Sequence, residues 1–556
     1  MELQRSRMFI LVALLVVCFA LFNTWQTEHP AVAKQNTPTI TPTNSSVKED
    51  NQIPAISASN VSQANIPASQ GSASADLIDV TTDVFKIKID PVGGDIVRAE
   101  LLKYPEKLHS EQGFILLDRN AVRNYVAQTG LVGKNELGPD SRQKGRARYT
   151  TSQNQYQMSQ DTLQVDLQWL SEDGVKVTKS YQFKRDSYVI NVNYHIENNS
   201  SLPWQGSIYG QLRREYSKPK SNGFFLMGVQ NYEGAALSTP DKPYKKLSFP
   251  DMKKNPFRES MEGGWAGMVE HYFLSAWIPS KETTNTYYSR LDEGDVYNIG
   301  ALTAVEVAPS SQQNVGGSLY LGPEIPDKLK AIAPGLELTV DYGILWPISQ
   351  LLFWGLQFIH GFVGNWGFAI ILLTLVVKLL FYTLSAKSYR SMGHMRRLQP
   401  RVEMLKERHG SDKQQFSAAL MELYKKEKVN PLGGCLPILV QIPVFIALYY
   451  VLLESIELRQ APFMLWIQDL SSKDPFYVLP LIMGASMFLQ QKMNPAPPDP
   501  MQAKMMMMMP VLFTVLFLSF PAGLVLYWTV NNVLSISQQW FITRGIERDA
   551  NVKKVK

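Results

Sequence analysis

Two hydrophobic patterns divide this chain, and each predicts a different kind of structure. In a polar block from residue 76 to 340, apolar residues alternate with polar ones, as in the segment from Leu163 to Trp169. A period of two is typical of strands with one buried face. From residue 367 to 542 the apolar residues instead form five long stretches, and another lies at 8–22. Apolar stretches of this kind indicate helices that cross a membrane.

The polar block predicts antiparallel β structure. Asp173-Gly174 supplies a hairpin turn after the first alternating segment, and Val175–Phe183 follows as the partner strand. The next alternating apolar positions are Ile190, Val192, Tyr194 and Ile196. A block of about 265 residues built in this way predicts a β-sandwich.

The N-terminal apolar stretch predicts a transmembrane anchor in residues 1–25. Arg5 and Arg7 precede it, and an interfacial tryptophan follows it. A cleaved secretory signal is the alternative, because Ala31-Val32-Ala33 offers a small-x-small cleavage site. Residues 26–75 are rich in Ser, Asn, Gln, Pro and Ala, which predicts a disordered linker.

The apolar half predicts a membrane core over residues 341–548. It begins with a helix at the membrane surface, for which Trp346 and Trp354 supply amphipathic side chains. A polar segment at 385–430 predicts a helical hairpin between the first two core spans. With the anchor, six spans are predicted, and the five core spans lie at about 367–384, 431–453, 476–490, 505–520 and 523–542.

The distribution of charge predicts the orientation of these spans. Residues 385–430 hold eleven Lys and Arg against five Asp and Glu, and residues 543–556 hold five against two. Residues 454–474 hold two against four. Because positively charged segments stay in the cytoplasm, the hairpin, both termini and the basic tail at 549–556 are predicted to be cytoplasmic. The β block and the linker then lie on the opposite side.

Composition narrows the possible functions further. The mean hydropathy of −0.13 and the net charge of +6 average over two unlike halves. The two cysteines, Cys18 and Cys435, cannot frame a zinc site alone. The sequence has no H-E-x-x-H, G-x-S-x-G or Walker motif, and Glu270-His271 is better interpreted as an ordinary pair on a strand face than as an acid/base pair. We therefore predict no enzymatic activity, no metal and no cofactor.

The basic segment at 385–430 predicts two short amphipathic helices that pair with each other. Ser411-Asp412 is a capping signal for the second of them. A solvated basic face and a dock for an anionic partner are both compatible with this charge. The residues that we predict to contact a ribosome or a targeting factor are Arg396, Arg397, Arg401, Lys406, Lys425 and Lys426.

Polar residues interrupt three of the predicted core spans. A lysine at the centre of a bilayer is costly, so it normally faces protein or water. Each polar residue taken alone can snorkel or bind another helix, but a polar stripe on several spans favours a hydrated groove. No intramembrane carboxylate is present to serve an ion carrier. The predicted groove residues are Thr374, Lys378, Gln441, Tyr527, Trp528 and Asn532.

Several motifs in this half resemble the YidC/Oxa/Alb family of membrane-protein insertases. They are Gly364-Asn365-Trp366-Gly367, the segment from Asn430 to Pro437 with Gln441-x-Pro443 after it, the run from Glu457 to Phe463, and the run from Gly523 to Trp528. The likeness covers residues 344–548 closely. The external domain and the anchor resemble the members from Gram-negative bacteria in particular.

The resemblance implies a fold and a mechanism. It implies five core helices around a hydrophilic groove that is open to cytoplasm and lipid, and a periplasmic all-β supersandwich similar to sugar mutarotases. In the family the groove carries one basic residue, usually arginine, at the position of Lys378, and proline is common where Thr383 stands. Lysine keeps the charge but lacks the planar guanidinium. Because threonine stands in place of the proline, the bend after this span is expected to be softer than in the family.

The function implied is that of an insertase and chaperone of the bacterial inner membrane that uses no ATP. The expected partners are nascent membrane proteins, the Sec translocon (SecYEG with SecDF), the ribosome with signal-recognition targeting factors, and membrane lipids. One alternative is a solute transporter, which predicts an internal repeat and a coupling carboxylate. The other is an envelope carbohydrate-binding protein that the membrane part only anchors.

Overall fold

The structure is a computed structural model, and it describes residues 76–134, 138–141, 144–216, 232–409, 412–427, 429, 436–495 and 500–555. The predicted anchor at 1–25 and the linker at 26–75 lie outside these residues, as do most of the Asn430–Pro437 motif and, for its side chains, the tail at 549–556.

The polar block folds into two sheets that pack face to face. One has twelve strands in the order β15-β18-β19-β12-β5-β4-β3-β2-β1-β8, with β6 and β7 attached at β5, and the other has eight in the order β14-β13-β16-β17-β20-β11-β10-β9. In the described residues the strands are β1 (Ile78–Thr81), β2 (Phe85–Asp90), β3 (Asp95–Pro105), β4 (Gly113–Arg119), β5 (Asn124–Gly133), β6 (Asp140–Ser141), β7 (Gly145–Arg146), β8 (Gln155–Gln157), β9 (Thr162–Leu170), β10 (Val175–Lys184), β11 (Val189–Asn198), β12 (Trp204–Glu215), β13 (Glu233–Leu237), β14 (Lys245–Leu247), β15 (Arg258–Glu262), β16 (Ala266–Glu270), β17 (Phe273–Pro279), β18 (Thr284–Asp292), β19 (Val296–Val307) and β20 (Ser311–Pro323).

The predicted hairpin between β9 and β10 is confirmed. Strands β9 and β10 are antiparallel, with Val177 opposite Trp169, and Gly174 in the connecting turn has a φ of 88° that favours glycine. On β11 the alternating residues from Ile190 to Ile196 are buried between the sheets. The period of two therefore identified the buried face correctly.

One inward position on β10 carries a buried lysine. The Lys179 amine donates to the carbonyl oxygens of Gly93 at 3.0 Å, Gly94 at 2.7 Å and Thr129 at 3.0 Å. Burial lowers the pKa of this amine to about 7, while three carbonyl acceptors match the three donors of an ammonium group. Arg146 bonds Asp95 beside it at 2.5 Å. These residues form a hydrogen-bonded polar network in the core of the sandwich.

The rest of the described chain is helical. Short 3₁₀ turns lie at Leu336–Thr339, Gly343–Leu345 and Ile456–Leu458. In the described residues the helices are α1 (Phe249–Lys254), α2 (Pro326–Ile332), α3 (Trp346–Val363), α4 (Trp366–Leu380), α5 (Tyr382–His409), α6 (Lys413–Lys426), α7 (Leu436–Glu454), α8 (Val478–Met493), α9 (Pro500–Phe517) and α10 (Ala522–Val555).

These helices differ in length from the apolar stretches that predicted them. The stretch at 367–384 corresponds to α4, which ends at Leu380, and the stretch at 523–542 corresponds to α10, which continues to Val555. Apolar windows locate the buried segment of a helix, but caps and breaks set its ends. Helix α10 packs against α4, α5 and α8, helix α9 packs on α8, and α3 packs on α4 and α7.

A sharp bend separates α4 from α5. The two axes differ by 70°, and the bend falls at Phe381, where no proline or glycine stands. The bend is therefore sharp although threonine, and not proline, stands at residue 383. Among the described residues, α4 and α5 together pass a length and hydropathy test for a membrane span, and no helix passes it alone.

Candidate functional site

A cavity of about 280 Å³ lies among five of the helices, and we call it the groove cavity. Helix α5 contributes two side chains, and α7 to α10 contribute the others. The lining residues are Tyr389, Met392, Gln441, Ile442, Phe445, Met487, Gln490, Gln491, Asn494, Met506, Met509, Pro510, Tyr527, Trp528, Asn531, Asn532 and Ser535. Amides and hydroxyls therefore share one cavity wall with thioethers and aromatic rings.

A polar stripe on α10 forms the most hydrophilic side of the groove cavity. Asn531, Asn532 and Ser535 are spaced so that they fall on one face of a helix. The Asn532 amide donates to the Ser486 hydroxyl on α8 at 3.1 Å, and the Ser535 hydroxyl donates to the Asn531 carbonyl oxygen at 2.7 Å. The stripe thus fixes α10 against α8 and keeps further amide groups directed at the cavity.

Lys378 lies behind this stripe rather than in it. Its side chain is buried, and its amine donates to the Ser535 hydroxyl at 2.7 Å. Ser535 itself lines the groove cavity, whereas Lys378 does not. Because a serine hydroxyl is a neutral acceptor, this contact leaves the positive charge without an opposite charge to balance it.

Thr374, another predicted groove residue, makes its hydrogen bond within its own helix. It is buried on α4, and its hydroxyl donates to the Ile370 carbonyl oxygen one turn earlier at 2.6 Å. A hydroxyl bonded in this way satisfies its own helix. Of the six predicted groove residues, the cavity brings together Gln441, Tyr527, Trp528 and Asn532, while Thr374 and Lys378 pack behind the wall.

Aromatic rings close the apolar side of the groove cavity. Trp528 meets Phe445 edge to face at 4.5 Å between ring centroids and also contacts Phe513 and Phe517. Such edge-to-face pairs stabilise a fixed arrangement beyond the area they bury. Methionines on α8 and α9 complete this side, and flexible thioethers adapt to apolar surfaces of different shape.

The bend at Phe381 is held by a side chain from α10. The Gln538 amide donates to the Tyr382 carbonyl oxygen at 3.4 Å, and the Ser385 amide hydrogen bonds the Phe381 carbonyl oxygen at 3.0 Å. The polar residues of α10 therefore support the α4–α5 junction as well as the cavity.

Several residues of the site were not among the predicted groove residues, and Ser486, Tyr389 and Ser535 are three of them. Ser486 and Tyr389 were missed because a lone serine and a lone tyrosine give no periodic signal. Ser535 carried such a signal, since it lies four residues after Asn531 on the same helix face.

The predicted contact residues lie on the basic helices α5 and α6, and one of them has an ion-pair partner within the hairpin. Arg401 is exposed, but it bonds the Glu427 carboxylate at 2.5 Å and thereby joins the two helices. Asp412 caps α6 by accepting from the Gln414 and Gln415 amides, as the sequence predicted. The other predicted contact residues, Arg396, Arg397, Lys406, Lys425 and Lys426, are exposed.

Glu270 and His271 do not form a pair on one strand face. Glu270 ends β16 and bonds Arg123 at 2.8 Å, while His271 lies in the following turn with a φ of 49°. The His271 ring contacts the Leu453 carbonyl oxygen near the end of α7 at 3.1 Å. No group of three or more His, Cys, Asp or Glu residues in the described part of the chain could hold a metal ion.

Comparison with known proteins places both parts of the chain in characterised families. The family model for the YidC periplasmic domain matches residues 77–355, and the model for the 60Kd inner membrane protein matches residues 358–549. A membrane protein insertase YidC from Pseudomonas entomophila (strain L48) is 51% identical over 98% of this chain and 99% of its own. One from Azotobacter vinelandii (strain DJ / ATCC BAA-1303) is 49% identical over 99% and 100%.

One solved structure was also matched. It is described as an active YidC insertase with the first transmembrane domain resolved, and it aligns with a TM-score of 0.39 at 17% identity. The alignment covers 85% of this chain and 94% of the other.

Proposed function

This chain belongs to the YidC family of membrane protein insertases, and we propose that it inserts nascent membrane proteins by way of the groove cavity. It is an inner-membrane protein with a periplasmic β domain, and it is not an enzyme. The observation that carries the mechanism is a cavity of about 280 Å³, lined by both polar and apolar side chains, between helices with apolar, exposed outer faces.

The first step is capture of a polar segment. The short translocated tail of a client enters the groove cavity, where the amides of Gln441 and Asn532 replace water as hydrogen-bond partners. Lys378 attracts acidic residues of that tail. In the structure the Lys378 amine donates to the Ser535 hydroxyl. The amine reaches the cavity when a carboxylate of the client replaces this hydroxyl as its acceptor. A carboxylate is the better acceptor for an ammonium group in a site of low dielectric.

The second step is release of the apolar segment into lipid. A client helix of about 20 apolar residues gains free energy as each buried CH₂ group leaves water, by roughly 0.8 kcal/mol. This gain drives the reaction without ATP. The methionines Met487, Met506 and Met509 supply an adaptable apolar wall that clients of different sequence can slide past.

We also propose the topology that the charges predict. Six spans cross the inner membrane, both termini are cytoplasmic, and the domain limits are those given above, with the core at 341–548. Helix α3 lies at the periplasmic surface, because Trp354, Phe358 and Phe362 form an exposed aromatic row along it.

The basic face of α5 and α6 is proposed to receive the ribosome or a signal-recognition targeting factor. Exposed lysines and arginines bind phosphate-rich RNA with a strong dependence on salt. Arg401 is assigned a different role, since it pairs with Glu427 inside the hairpin. The Sec translocon is proposed as a second partner.

Reconstitution tests the proposed function against its rivals. Proteoliposomes that contain only this protein should insert a single-span client with an acidic translocated tail, and a variant lacking most of residues 76–320 should retain this activity. Retention would exclude the carbohydrate-binding alternative, in which the β domain carries the function. Failure of the full-length protein to insert the client would contradict the proposal.

A further inference from the structure

A loop on the side of the β domain connects the groove helices to one another. It runs from residue 455 to 477 between α7 and α8, and we call it the capping loop. It contains the run from Glu457 to Phe463, which the groove mechanism leaves without a role. The loop has internal support, because Asp469 accepts from the Gln460 amide at 3.0 Å and from the Ser471 amide at 2.9 Å.

The capping loop binds the start of α4 through Asn365. The Asn365 side-chain oxygen accepts from the Phe368 amide at 3.1 Å and so caps the helix. Its side-chain nitrogen donates to the carbonyl oxygens of Pro462 at 3.2 Å and Phe463 at 2.9 Å. One side chain therefore performs two separable tasks, because the oxygen serves the helix and the nitrogen serves the loop.

The same loop binds the starts of α8 and α10. Asp474 accepts from the Leu479 amide at 2.7 Å at the beginning of α8. The Ala522 amide donates to the Ser472 carbonyl oxygen at 2.7 Å, and the Gly523 amide donates to the Leu470 carbonyl oxygen at 2.9 Å. The starts of three helices, α4, α8 and α10, are thus hydrogen-bonded to the capping loop.

The direction in which α4 and α10 leave the capping loop affects the position of Lys378 relative to Ser535. Lys378 lies twelve residues after Trp366, or ~18 Å along α4, and Ser535 lies thirteen residues after Ala522, or ~20 Å along α10. A tilt of ~10° at the start of α4 would move the Lys378 level by ~3 Å over that length. Such a shift is enough to break the contact of 2.7 Å between Lys378 and Ser535.

We propose that the capping loop is the positioning element of the groove, and that Asn365 is the positioning residue that holds the helix of Lys378 against the helix of Ser535. This inference rests on the proposed function of Lys378. A separate contact joins the loop to the β domain, where Arg459 donates to the carbonyl oxygens of Pro105 at 2.7 Å and Glu106 at 3.1 Å. The Arg459 contact orients the β domain and leaves the helix starts untouched.

The test uses the full-length protein in proteoliposomes. Asn365→Asp keeps the capping oxygen but removes the amide nitrogen that donates to the loop. Asn365→Ser keeps a capping oxygen on a shorter side chain and also lacks this nitrogen, without adding a charge. We expect either variant to lower the insertion rate of a client with an acidic tail by about tenfold, the effect of one or two lost hydrogen bonds. For a matched client with a neutral tail, the fold-decrease in the insertion rate should be less than about half of that for the acidic client. Arg459→Ala should leave both rates unchanged.

A distance measurement separates positioning from simple destabilisation. Spin labels at Leu379 on α4 and Val533 on α10, both exposed, should report a changed separation in Asn365→Asp and an unchanged one in Arg459→Ala. An unchanged separation, or equal loss for acidic and neutral clients, would overturn the proposal. If Lys378→Ala inserts both clients like the wild type, the proposed role of Lys378 fails instead, whatever the Asn365 variants do.

Discussion

Gly367, in the first turn of α4, gives the sharpest test of how the capping loop packs. A Cβ atom at this residue would lie 2.0 Å from Cδ2 and 2.4 Å from Cγ of the Phe463 ring, whereas ordinary contact is 3.4–4 Å. In Gly367→Ala the ring must therefore move by more than ~1 Å. Overpacking of this kind costs about 1–3 kcal/mol. Alanine recovers little of that cost through helix propensity, because the position lies in the first turn.

Thermal unfolding in detergent measures this effect with two controls. Gly361 lies within α3, and a Cβ there meets nothing within 4 Å, so Gly361→Ala should leave the melting temperature equal or slightly higher. Phe463→Ala removes the ring, so adding Gly367→Ala to it should cost nothing more. The coupling between the two sites should be at least about 1 kcal/mol. Equal destabilisation by Gly367→Ala with and without the ring would refute the packing account.

Three further predictions concern other parts of the chain. Lys179→Met removes three buried hydrogen bonds, while Arg146 and Tyr181 still donate to the same carbonyl oxygens, so it should cost about 1–3 kcal/mol in thermal unfolding. Lys176→Met on the same strand should cost less than about 1 kcal/mol. Burial lowers the pKa of His271 from 6.5 to about 4, so the neutral ring is favoured in the folded state. The contribution of the neutral ring to the free energy of unfolding is complete above pH 6.5 and is lost as the pH falls through 4. The loss amounts to about 3 kcal/mol. Unfolding of His271→Asn should lack this part of the pH dependence. Lys425→Glu with Lys426→Glu should weaken ribosome co-sedimentation and reduce its salt dependence, while a variant of the paired Arg401 should have a smaller effect.

The β domain could be predicted closely because its signal is local. Alternation along β9, β10 and β11 identified the buried face, and Asp173-Gly174 identified the position of the turn between β9 and β10. Lys179 was the exception, since it occupies an inward position in the alternation. The groups that accept hydrogen bonds from its amine could not be predicted, because Gly93, Gly94 and Thr129 are distant in the sequence.

The groove could be predicted only in part. The stripe on α10 was visible because helical spacing places Asn532 and Ser535 on one face. The location of Lys378 behind Ser535 depends on how α4 rotates against α10, and periodicity within a single helix cannot determine that rotation. The bend at Phe381 had no proline or glycine to mark it, and a side chain 156 residues away supports it.

The role of Asn365 illustrates the same limit. The sequence showed it only as part of the Gly364–Gly367 motif, whereas one of its bonds reaches a loop 98 residues further along the chain. A motif identifies such a residue as unusual, whereas only the packed structure shows which groups it joins.

The measurement that tests the central claim most directly is insertion of a single-span client with an acidic translocated tail into proteoliposomes containing wild type, Lys378→Arg, Lys378→Ala or Lys378→Glu. A charge pair at ~4 Å is worth about 4 kcal/mol at an effective dielectric constant of ~20. We therefore expect arginine to match lysine, and alanine and glutamate to lower the rate at least tenfold. Equal insertion by all four proteins would contradict the account of a charged groove.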